Sequence, residues 1–323
     1  MEVYFAPLEG ITLSAFRRVH SSLFPGTDAW FTPFIAPDTE GGFRGKVLRE
    51  ILPENNPGIR LIPQLLVSRP EPFLHAAAAF RELGYREVNL NTGCPSGTVF
   101  AKHKGAGMLA DLPALEAFLE RVFSETDLQI SIKTRMGIAS TEEFPAIMEV
   151  FCRYPLQMLV IHARHREGYY ESIPDIDGFA AAVKDTPFPV CYNGNLFSVA
   201  DLEAVKRKVP ELQLFMAGRG AVADPSLIRQ LKGGEKLSLE ELRRFHEMLR
   251  ESLREGGLAP NHTLSHLKEL WYYWIHLFDD CGKLYKRLKK APNLNEYSLA
   301  AEEIFRNGAF NAERSFSGGK YEG

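Results

Sequence analysis

The sequence of 323 residues has little cysteine and lacks any long hydrophobic run. Its four cysteines, at positions 94, 152, 191 and 281, lie far apart and form no Cys-x-x-Cys pair. This spacing argues against a zinc site and against a disulfide framework. No run of about eighteen apolar residues occurs, and the first residues lack the basic start and apolar stretch of a signal peptide, so we expect a cytoplasmic protein.

An excess of positive charge is also missing. The 38 lysines and arginines are outnumbered by 41 aspartates and glutamates, which gives a formal net charge of -3. The overall charge therefore gives no sign of a nucleic-acid partner, and any such partner must bind a local basic surface. One candidate is residues 283–290, where five cations lie within eight residues. In isolation such a run is typical of a solvated helix end as well as of an RNA contact.

Short apolar segments alternate regularly with amphipathic segments of helical length. Candidate strands occur at residues 3–6, 29–32, 60–65, 87–90, 129–133, 158–161, 189–192 and 213–217, and the clearest helices between them at 72–83, 112–123, 144–154 and 199–209. Eight repeated strand and helix units predict an α/β fold, a (β/α)8 TIM barrel. Residues 36–58 are rich in Pro, Gly and Asn, so we predict a long loop there and assign it no helix.

The character of the chain changes after residue 231, where the strand-like segments cease and residues 232–236 resemble a linker. We therefore predict a barrel domain over residues 1–235 and a small all-α helical domain over residues 236–323. Ser238 and Glu241 have the spacing of a capping box, and apolar residues then repeat at helical intervals. An aromatic helix is expected over about 264–290, a short helix over 298–305, and a flexible tail from about residue 308.

A Gly-Cys-Pro turn follows the fourth predicted strand. Gly93 permits backbone angles that other residues avoid and Pro95 fixes its own φ, so we expect the Cys94 thiol between them to be held in one position. A thiol held in this way is a candidate acid, nucleophile or ligand. A single cysteine after an apolar run is also typical of an inert buried side chain.

Polar residues, glycines or a proline stand at the end of seven of the eight predicted strands or directly after it. Catalytic and binding groups of a (β/α)8 barrel lie at these C-terminal strand ends. In chain order they are Pro7, Gln64, Asn91 with Cys94, Lys133 with Arg135, His162 with Arg164, Asn193 with Gly194, and Gly218 with Arg219 and Gly220. The last two groups follow strands seven and eight, where glycines let backbone N–H groups approach an anion. They predict a phosphate-bearing ligand, although either motif alone is equally typical of a tight turn.

Together these residues resemble the tRNA-dihydrouridine synthases, flavin-dependent enzymes that reduce uridine in tRNA. The motifs at residues 6–10, 63–65, 89–95, 132–137, 162–164, 193–194 and 218–220 occur in the order of that family, and the resemblance spans almost the whole chain. It implies an FMN-containing barrel followed by a helical tRNA-binding domain, with NADPH or NADH as the reductant. It implies no metal and no obligate protein partner, and we expect a monomer.

The resemblance also implies roles for individual residues. Cys94 is expected to be a catalytic acid: hydride passes from FMN to C6 of uracil, and the neutral thiol protonates C5. Lys133 is expected to stabilise the negative charge of reduced FMN. The full FMN-binding set is Pro7, Leu8, Glu9, Gln64, Lys133, His162, Asn193, Gly194, Asn195, Gly218 and Arg219. The expected substrate-binding residues are Asn91, Arg135, Arg164, Tyr169 (or its neighbour Tyr170), Lys286, Arg287 and Lys290.

Some positions depart from the family pattern, and two other functions stay open. Residues 96–98 lack the lysine that is frequent there, and His165 and Asn195 replace a usual threonine and aspartate. The alternatives are an FMN-dependent reductase of a free small molecule, of dihydroorotate or ene reductase type, and an inactive tRNA-binding relative. The chain length and the motif at residues 7–10 favour position 16 of the D-loop as the target, among positions 16, 17, 20 and 20a.

Overall fold

The computed structural model describes residues 1–37, 42–314, 316 and 318. Nine parallel strands form one nearly closed barrel, and each of the eight predicted strands is present. They are β1 (Glu2–Phe5), β2 (Ala29–Phe31), β3 (Leu61–Ile62), β4 (Gln64–Leu65), β5 (Glu87–Thr92), β6 (Gln129–Arg135), β7 (Met158–His162), β8 (Val190–Asn193) and β9 (Leu214–Ala217). Within the described residues, no helix combines the length and the apolar character needed to cross a bilayer.

The third predicted strand is interrupted at Pro63. The short strands on either side of this proline, β3 and β4, form the two edges of the sheet. Leu61 on β3 pairs with Trp30 of β2, whereas Gln64 on β4 pairs with Asn89 of β5. Proline has no N–H group for a strand ladder, so β3 and β4 are separate short strands that follow each other directly. The prediction of a TIM barrel is therefore confirmed.

Helices cover the outside of the barrel. They are α1 (Ser14–Leu23), α2 (Gly45–Ile51), α3 (Pro70–Glu82), α4 (Gly97–Phe100), α5 (Leu112–Glu125), α6 (Phe144–Phe151), α7 (Ile176–Ala182), α8 (Val199–Lys208), α9 (Arg219–Ala223) and α10 (Leu227–Leu231). Short 3-10 helices occur at Pro53–Asn55, Gly105–Ala110 and Thr141–Glu143. The four barrel helices whose bounds we predicted from the sequence are all present, with ends that differ by a few residues.

The prediction that residues 36–58 contain no helix is wrong for α2, although residues 38–41 lie outside the described part. Glu50 of α2 accepts a hydrogen bond from the backbone N–H of Ser14 at 2.5 Å, and Ile51 is fully buried. Arg17, also fully buried, donates to the Glu50 carbonyl at 2.6 Å. These contacts with α1 stabilise a helix whose length alone is too short for stability in water.

The C-terminal region is helical and contains α11 (Leu239–Glu255), α12 (Pro260–Trp274), α13 (Gly282–Lys290) and α14 (Leu294–Asn307). Ser238 and Glu241 form the predicted capping box. The single helix predicted over 264–290 is wrong: a 3-10 turn at Ile275–Leu277 and a strand β10 (Phe278–Asp279) separate α12 from α13. Asp280 has a φ of +56°, which no helix interior accommodates, and β10 pairs with β11 (Ala309–Phe310).

The C-terminal helices pack on the barrel and share its core. Phe245 of α11 meets Phe16 of α1 edge to face, with ring centroids 5.4 Å apart, and Trp274 of α12 donates to the Val222 carbonyl at 2.9 Å. A division at about residue 235 stays a prediction, because one continuous core includes residues on both sides of it. Within the tail that we predicted to be flexible, Phe310 pairs in β11 and Phe316 is 2% exposed.

Candidate active site

A cavity of about 340 Å³ lies at the C-terminal ends of the barrel strands. This volume is in the range of small-molecule sites, roughly 300–1,000 Å³. Ten of the eleven predicted cofactor residues line it, Asn195 being the exception, and so do Asn91, Cys94 and Arg135. The barrel thus brings together side chains that are far apart in the sequence, because parallel strands all end on one face. The roles of these residues stay predictions.

The turn that carries Cys94 is held from three directions. Asn91 accepts the backbone N–H groups of Gly93 at 3.0 Å and Cys94 at 2.9 Å through its side-chain oxygen. A Cβ atom at Gly93 would lie 3.1 Å from the backbone of Thr134, so a larger residue there would push the two strands apart by a few tenths of an ångström. Its φ is not positive, which corrects our expectation of unusual backbone angles. On the far side, Gly105 leaves room for the Cys94 side chain.

Asn91 is therefore occupied largely by protein groups. Its oxygen accepts the two N–H groups of the turn, and its amide nitrogen donates to Gln64 at 2.8 Å. We expected this amide to contact the substrate, whereas the geometry makes its clearest task the placement of Cys94. One N–H of the Asn91 amide stays available for the cavity.

Positive charge is concentrated on one wall of the cavity. Burial and the nearby Arg135 lower the pKa of Lys133 to about 8. Burial, followed by the charges of Arg135 and Lys133, also lowers the pKa of His162 well below its usual value. Burial lowers the pKa of Arg219 as well. Among the described residues, no carboxylate pairs with Lys133, so this wall is suited to an anionic ligand.

Arg135 joins two of the loops that surround the cavity. Its guanidinium donates to the carbonyl of Gly93 at 3.0 Å, and to those of His165 at 3.0 Å and Tyr169 at 2.8 Å. Arg135 is only 1% exposed. It lines the cavity, as predicted for a substrate contact, yet most of its hydrogen bonds go to the protein.

Arg164 and Tyr169 do not line this cavity, although Arg164 lines an adjacent one together with Tyr170 and Arg219. Arg164 is 1% exposed and donates to the Ser172 carbonyl at 2.6 Å and to Asn195 at 3.0 Å. Its third contact is with His162 Nε2 at 2.9 Å. Because a guanidinium only donates, this nitrogen accepts, and neutral His162 carries its proton on Nδ1. Tyr170 lines the cavity in place of Tyr169.

The loops after β8 and β9 lie side by side, as a phosphate site requires. Arg219 donates to the side-chain oxygen of Asn195 at 3.1 Å, so Asn195 contributes by holding the arginine. A Cβ atom at Gly220 would clash with the Leu196 carbonyl, and one at Gly218 would lie 3.2 Å from the Ala6 Cβ. Glycine at position 220 thus lets the loops after β8 and β9 pack closely, whereas glycine at position 218 lets the loop after β9 approach the end of β1.

Several cavity residues were not identified from the sequence. Glu269 and Tyr273 extend from α12, and Pro33, Phe34 and Phe197 come from the loops after β2 and β8. The i, i+4 spacing of Glu269 and Tyr273 is the one sequence signal that places them on a common face of α12. Burial raises the pKa of Glu269 above its usual value.

The predicted basic surface lies away from this cavity. Lys286, Arg287 and Lys290 are on α13, and none of them lines it. Arg287 pairs with Glu303 at 2.5 Å, whereas Lys286 and Lys290 are exposed. In the part of the chain that the structure describes, no group of three or more His, Cys, Asp or Glu side chains is arranged to hold a metal ion.

Comparisons with known proteins agree with this geometry. A family model described as "Dihydrouridine synthase (Dus)" matches residues 4–274. The chain is 28% identical over 243 residues to the tRNA-dihydrouridine(16) synthase of Cupriavidus necator, covering 72% of this chain and 73% of that protein. It is 24% identical over 314 residues to the tRNA-dihydrouridine synthase B of Escherichia coli, covering 94% and 95%. An old yellow enzyme homologue from Zymomonas mobilis shares the fold, with a TM-score of 0.52 at 10% identity over 73% of this chain and 90% of that chain.

Proposed function

Because the chain belongs to the dihydrouridine synthase family of enzymes, we propose that it reduces a uridine of tRNA to 5,6-dihydrouridine with bound FMN, and that NADPH or NADH re-reduces the flavin. The observation that carries the proposal is the meeting of Cys94 and Lys133 in one cavity at the strand ends. Neither residue is near the other in the sequence. A thiol and an ammonium in a shared, partly desolvated cavity supply an acid and a stabilising charge.

The residues of the cavity fit a flavin phosphate. Lys133 lies in a wall without a carboxylate partner among the described residues, and Arg219 adds a second cation beside the glycine loops. Neutral His162 retains an N–H to donate, since its other nitrogen accepts from Arg164. In our proposal Pro7, Leu8, Glu9 and Gln64 contact the ring system. His162, Asn193, Gly194, Gly218 and Arg219 hold the ring edge, the ribityl chain and the phosphate, and Asn195 acts through Arg219.

Bound FMN would supply the hydride that adds to C6 of the uracil ring. Cys94 then donates its proton to C5, so the C5–C6 double bond becomes a single bond and the thiolate is reprotonated from solvent. The two N–H bonds to Asn91 hold the Cys94 backbone, which keeps the thiol directed to one place. Lys133 stays protonated while an anionic group lies beside it.

A uridine inside a folded tRNA has to leave its stack to reach this cavity, at a cost of a few kcal/mol. Tyr170, 52% exposed and at the cavity wall, is placed to stack on the flipped base or its neighbour. We propose that α13 contacts the tRNA phosphates through Lys286, Arg287 and Lys290. The net charge of -3 leaves such local surfaces as the source of RNA affinity.

The proposal is tested by pre-reducing the purified holoenzyme and mixing it with unmodified tRNA or with free uridine. We expect tRNA, and not free uridine, to oxidise the flavin, with dihydrouridine found by mass spectrometry of the RNA. Oxidation by a free small molecule but not by tRNA would favour the small-molecule reductase. A protein that binds tRNA but lacks flavin absorbance would be the inactive relative.

The target position needs its own test. We propose position 16, since the Cupriavidus necator relative is named for it, although the Escherichia coli relative carries no position in its name. Mapping of dihydrouridine at single-nucleotide resolution, in tRNA from cells with and without the gene, identifies the uridine. Loss at another D-loop position alone would replace this assignment and leave the chemistry intact.

A further inference from the structure

Three buried amide side chains beneath the Cys94 turn form a continuous row of hydrogen bonds. Asn91 accepts the N–H groups of Gly93 and Cys94 and donates to the Gln64 oxygen at 2.8 Å. Gln64 donates to the Asn89 oxygen at 2.8 Å. The row continues to β6, where Ser131 accepts from Asn89.

The lower half of this row is fully buried. Asn89 donates to the Ser131 hydroxyl oxygen at 2.9 Å, and Gln64, Asn89 and Ser131 are each 0% exposed. Of these three, only Gln64 lines the cavity. Asn89 and Ser131 therefore lie outside the wall of the cavity.

The backbone N–H groups at the upper end of the row identify which atom of each amide is the oxygen. A backbone N–H only donates, so the Gly93 and Cys94 groups require the oxygen of Asn91 to face them. The Asn91 nitrogen then faces Gln64, the Gln64 nitrogen faces Asn89, and the Asn89 nitrogen faces Ser131. Each amide consequently has one orientation, and reversing any of them places two donors or two acceptors together.

A purely structural role explains this row poorly. Other inward positions of the barrel hold apolar side chains, among them Met158, Val160 and Met216. Apolar side chains of the same volume would fill the space below Asn91 without needing any hydrogen bond. Asn89 and Asn91 share one face of β5, so two buried positions of this strand are polar, and both belong to the row of hydrogen bonds. Such networks specify a single arrangement of their members.

We propose that Asn89 and Ser131 are positioning residues, which hold the Gln64 and Asn91 amides in one orientation and thereby hold the Cys94 turn for proton transfer. The inference deepens the proposed function and rests on it.

The test uses three variants of the row and one control. Asn89→Leu removes both bonds of Asn89 and frees the Gln64 amide to rotate. Asn89→Asp keeps an oxygen facing Gln64, and its second oxygen interacts with the Ser131 hydroxyl in either protonation state. Ser131→Ala removes the lower acceptor alone. The control is Leu90→Val, because Leu90 is fully buried on the opposite face of β5 and lies in the outer core.

Two measurements report on Cys94, and the first needs neither flavin nor tRNA. Alkylation of Cys94 by iodoacetamide is followed against pH in flavin-free protein, in a Cys152→Ser background, because Cys152 is exposed whereas Cys191 and Cys281 are buried. The second is the single-turnover oxidation of pre-reduced holoenzyme by tRNA. Thermal unfolding of each variant measures its stability.

We expect Asn89→Leu to shift the pH profile of Cys94 alkylation and to slow single-turnover oxidation by about 10- to 100-fold. Ser131→Ala should change both readouts in the same direction by a smaller amount. If Asn89→Leu does not fold, Ser131→Ala provides the test in its place. In Asn89→Asp, which keeps an oxygen facing Gln64, both readouts should stay within about threefold of the parent protein. Leu90→Val should lower the unfolding temperature and leave both readouts unchanged.

An unchanged alkylation profile in both Asn89→Leu and Ser131→Ala overturns the inference, as does an equal change in Leu90→Val. Failure of the proposed function looks different. In that case the parent holoenzyme is not oxidised by tRNA at all, while the alkylation profiles still decide whether the row positions Cys94.

Discussion

The guanidinium of Arg219 lies over the ring of Tyr170, with its central carbon 4.4 Å from the ring centroid. Arg135 approaches the same ring at 5.5 Å. One tyrosine on the loop after β7 therefore joins cations from the ends of β6 and β9, which the sequence separates widely. This contact holds Arg219 at the cavity wall, where the proposed phosphate site lies.

Replacing Tyr170 with alanine should weaken cofactor binding. A cation–π contact of this kind contributes about 0.5–2 kcal/mol, so we expect the Kd for FMN to rise about 2- to 30-fold. Fluorescence titration of flavin-free protein measures this change. Tyr169→Ala is the matched control, since Tyr169 is 45% exposed and does not line the cavity. Equal Kd values for the two variants would show that the Tyr170 ring does not hold Arg219 for the ligand.

Cys94→Ala should separate binding from chemistry. Without a proton donor near C5, we expect single-turnover oxidation by tRNA to slow by about 10²- to 10⁴-fold, the usual contribution of a general acid. The affinities for FMN and tRNA should stay near those of the parent. The exposed Cys152 provides the control, and Cys152→Ala should be fully active. Dihydrouridine formation by Cys94→Ala at the parent rate would falsify the assignment.

The affinity of the flavin-free protein for FMN should depend on pH through Lys133. The pKa of Lys133 is lowered to about 8, so the ammonium is charged below that pH and neutral above it. We therefore expect the affinity for reduced FMN, whose ring carries the negative charge that Lys133 is proposed to stabilise, to fall as the pH rises through about 8. Lys133→Met should bind more weakly and lose this dependence, whereas Lys133→Arg should keep its charge across the range. A Lys133→Met protein with the same pH dependence would assign the effect to another group.

Charge reversal on α13 should weaken tRNA binding and reduce its salt dependence. Each lost phosphate contact reduces the magnitude of the slope of log K against log salt by about 0.9. The salt dependence of binding is therefore a second measurement, besides affinity, for the variant in which Lys286 and Lys290 are reversed. The control is reversal of Lys206 and Arg207 at the end of α8, because a helix that follows a barrel strand ends at the opposite face of the barrel. Equal losses for both pairs would indicate nonspecific electrostatics and contradict a surface on α13.

Stability should fall in mild acid because of His20. Burial lowers its pKa to about 3, from an unfolded value near 6.5, so the unfolded chain binds the extra proton between these limits. His20 alone consequently lowers the free energy of unfolding by about 1.4 kcal/mol for each unit by which the pH falls below about 6.5. His20→Leu should reduce the difference in urea stability between pH 7 and pH 5 by about 2 kcal/mol. Exposed His75→Gln serves as the control and should leave that difference unchanged.

The barrel could be predicted because its signals are local. Apolar strands alternate with amphipathic helices, and the rule that parallel strands end on one face brought distant residues such as Gln64 and Lys133 to one site. The helix α2 was missed because the Pro, Gly and Asn of its surroundings dominate the local pattern, while the contacts that stabilise it come from Ser14 and Arg17. The break before α13 depends on pairing with β11, about thirty residues further along the chain.

The candidate site also has one part that could be predicted from the sequence and one part that could not. The sequence by itself determined which residue types stand at the strand ends, since an apolar run followed by a polar side chain or glycine is a local pattern. Only the tertiary structure decided what each of them contacts. The Asn91 oxygen is committed to the Gly93–Cys94 turn, and its amide nitrogen donates to Gln64 from another strand. A hydrogen bond requires two groups to be about 3 Å apart with the donor facing the acceptor, and such geometry between distant segments is set only when the barrel closes.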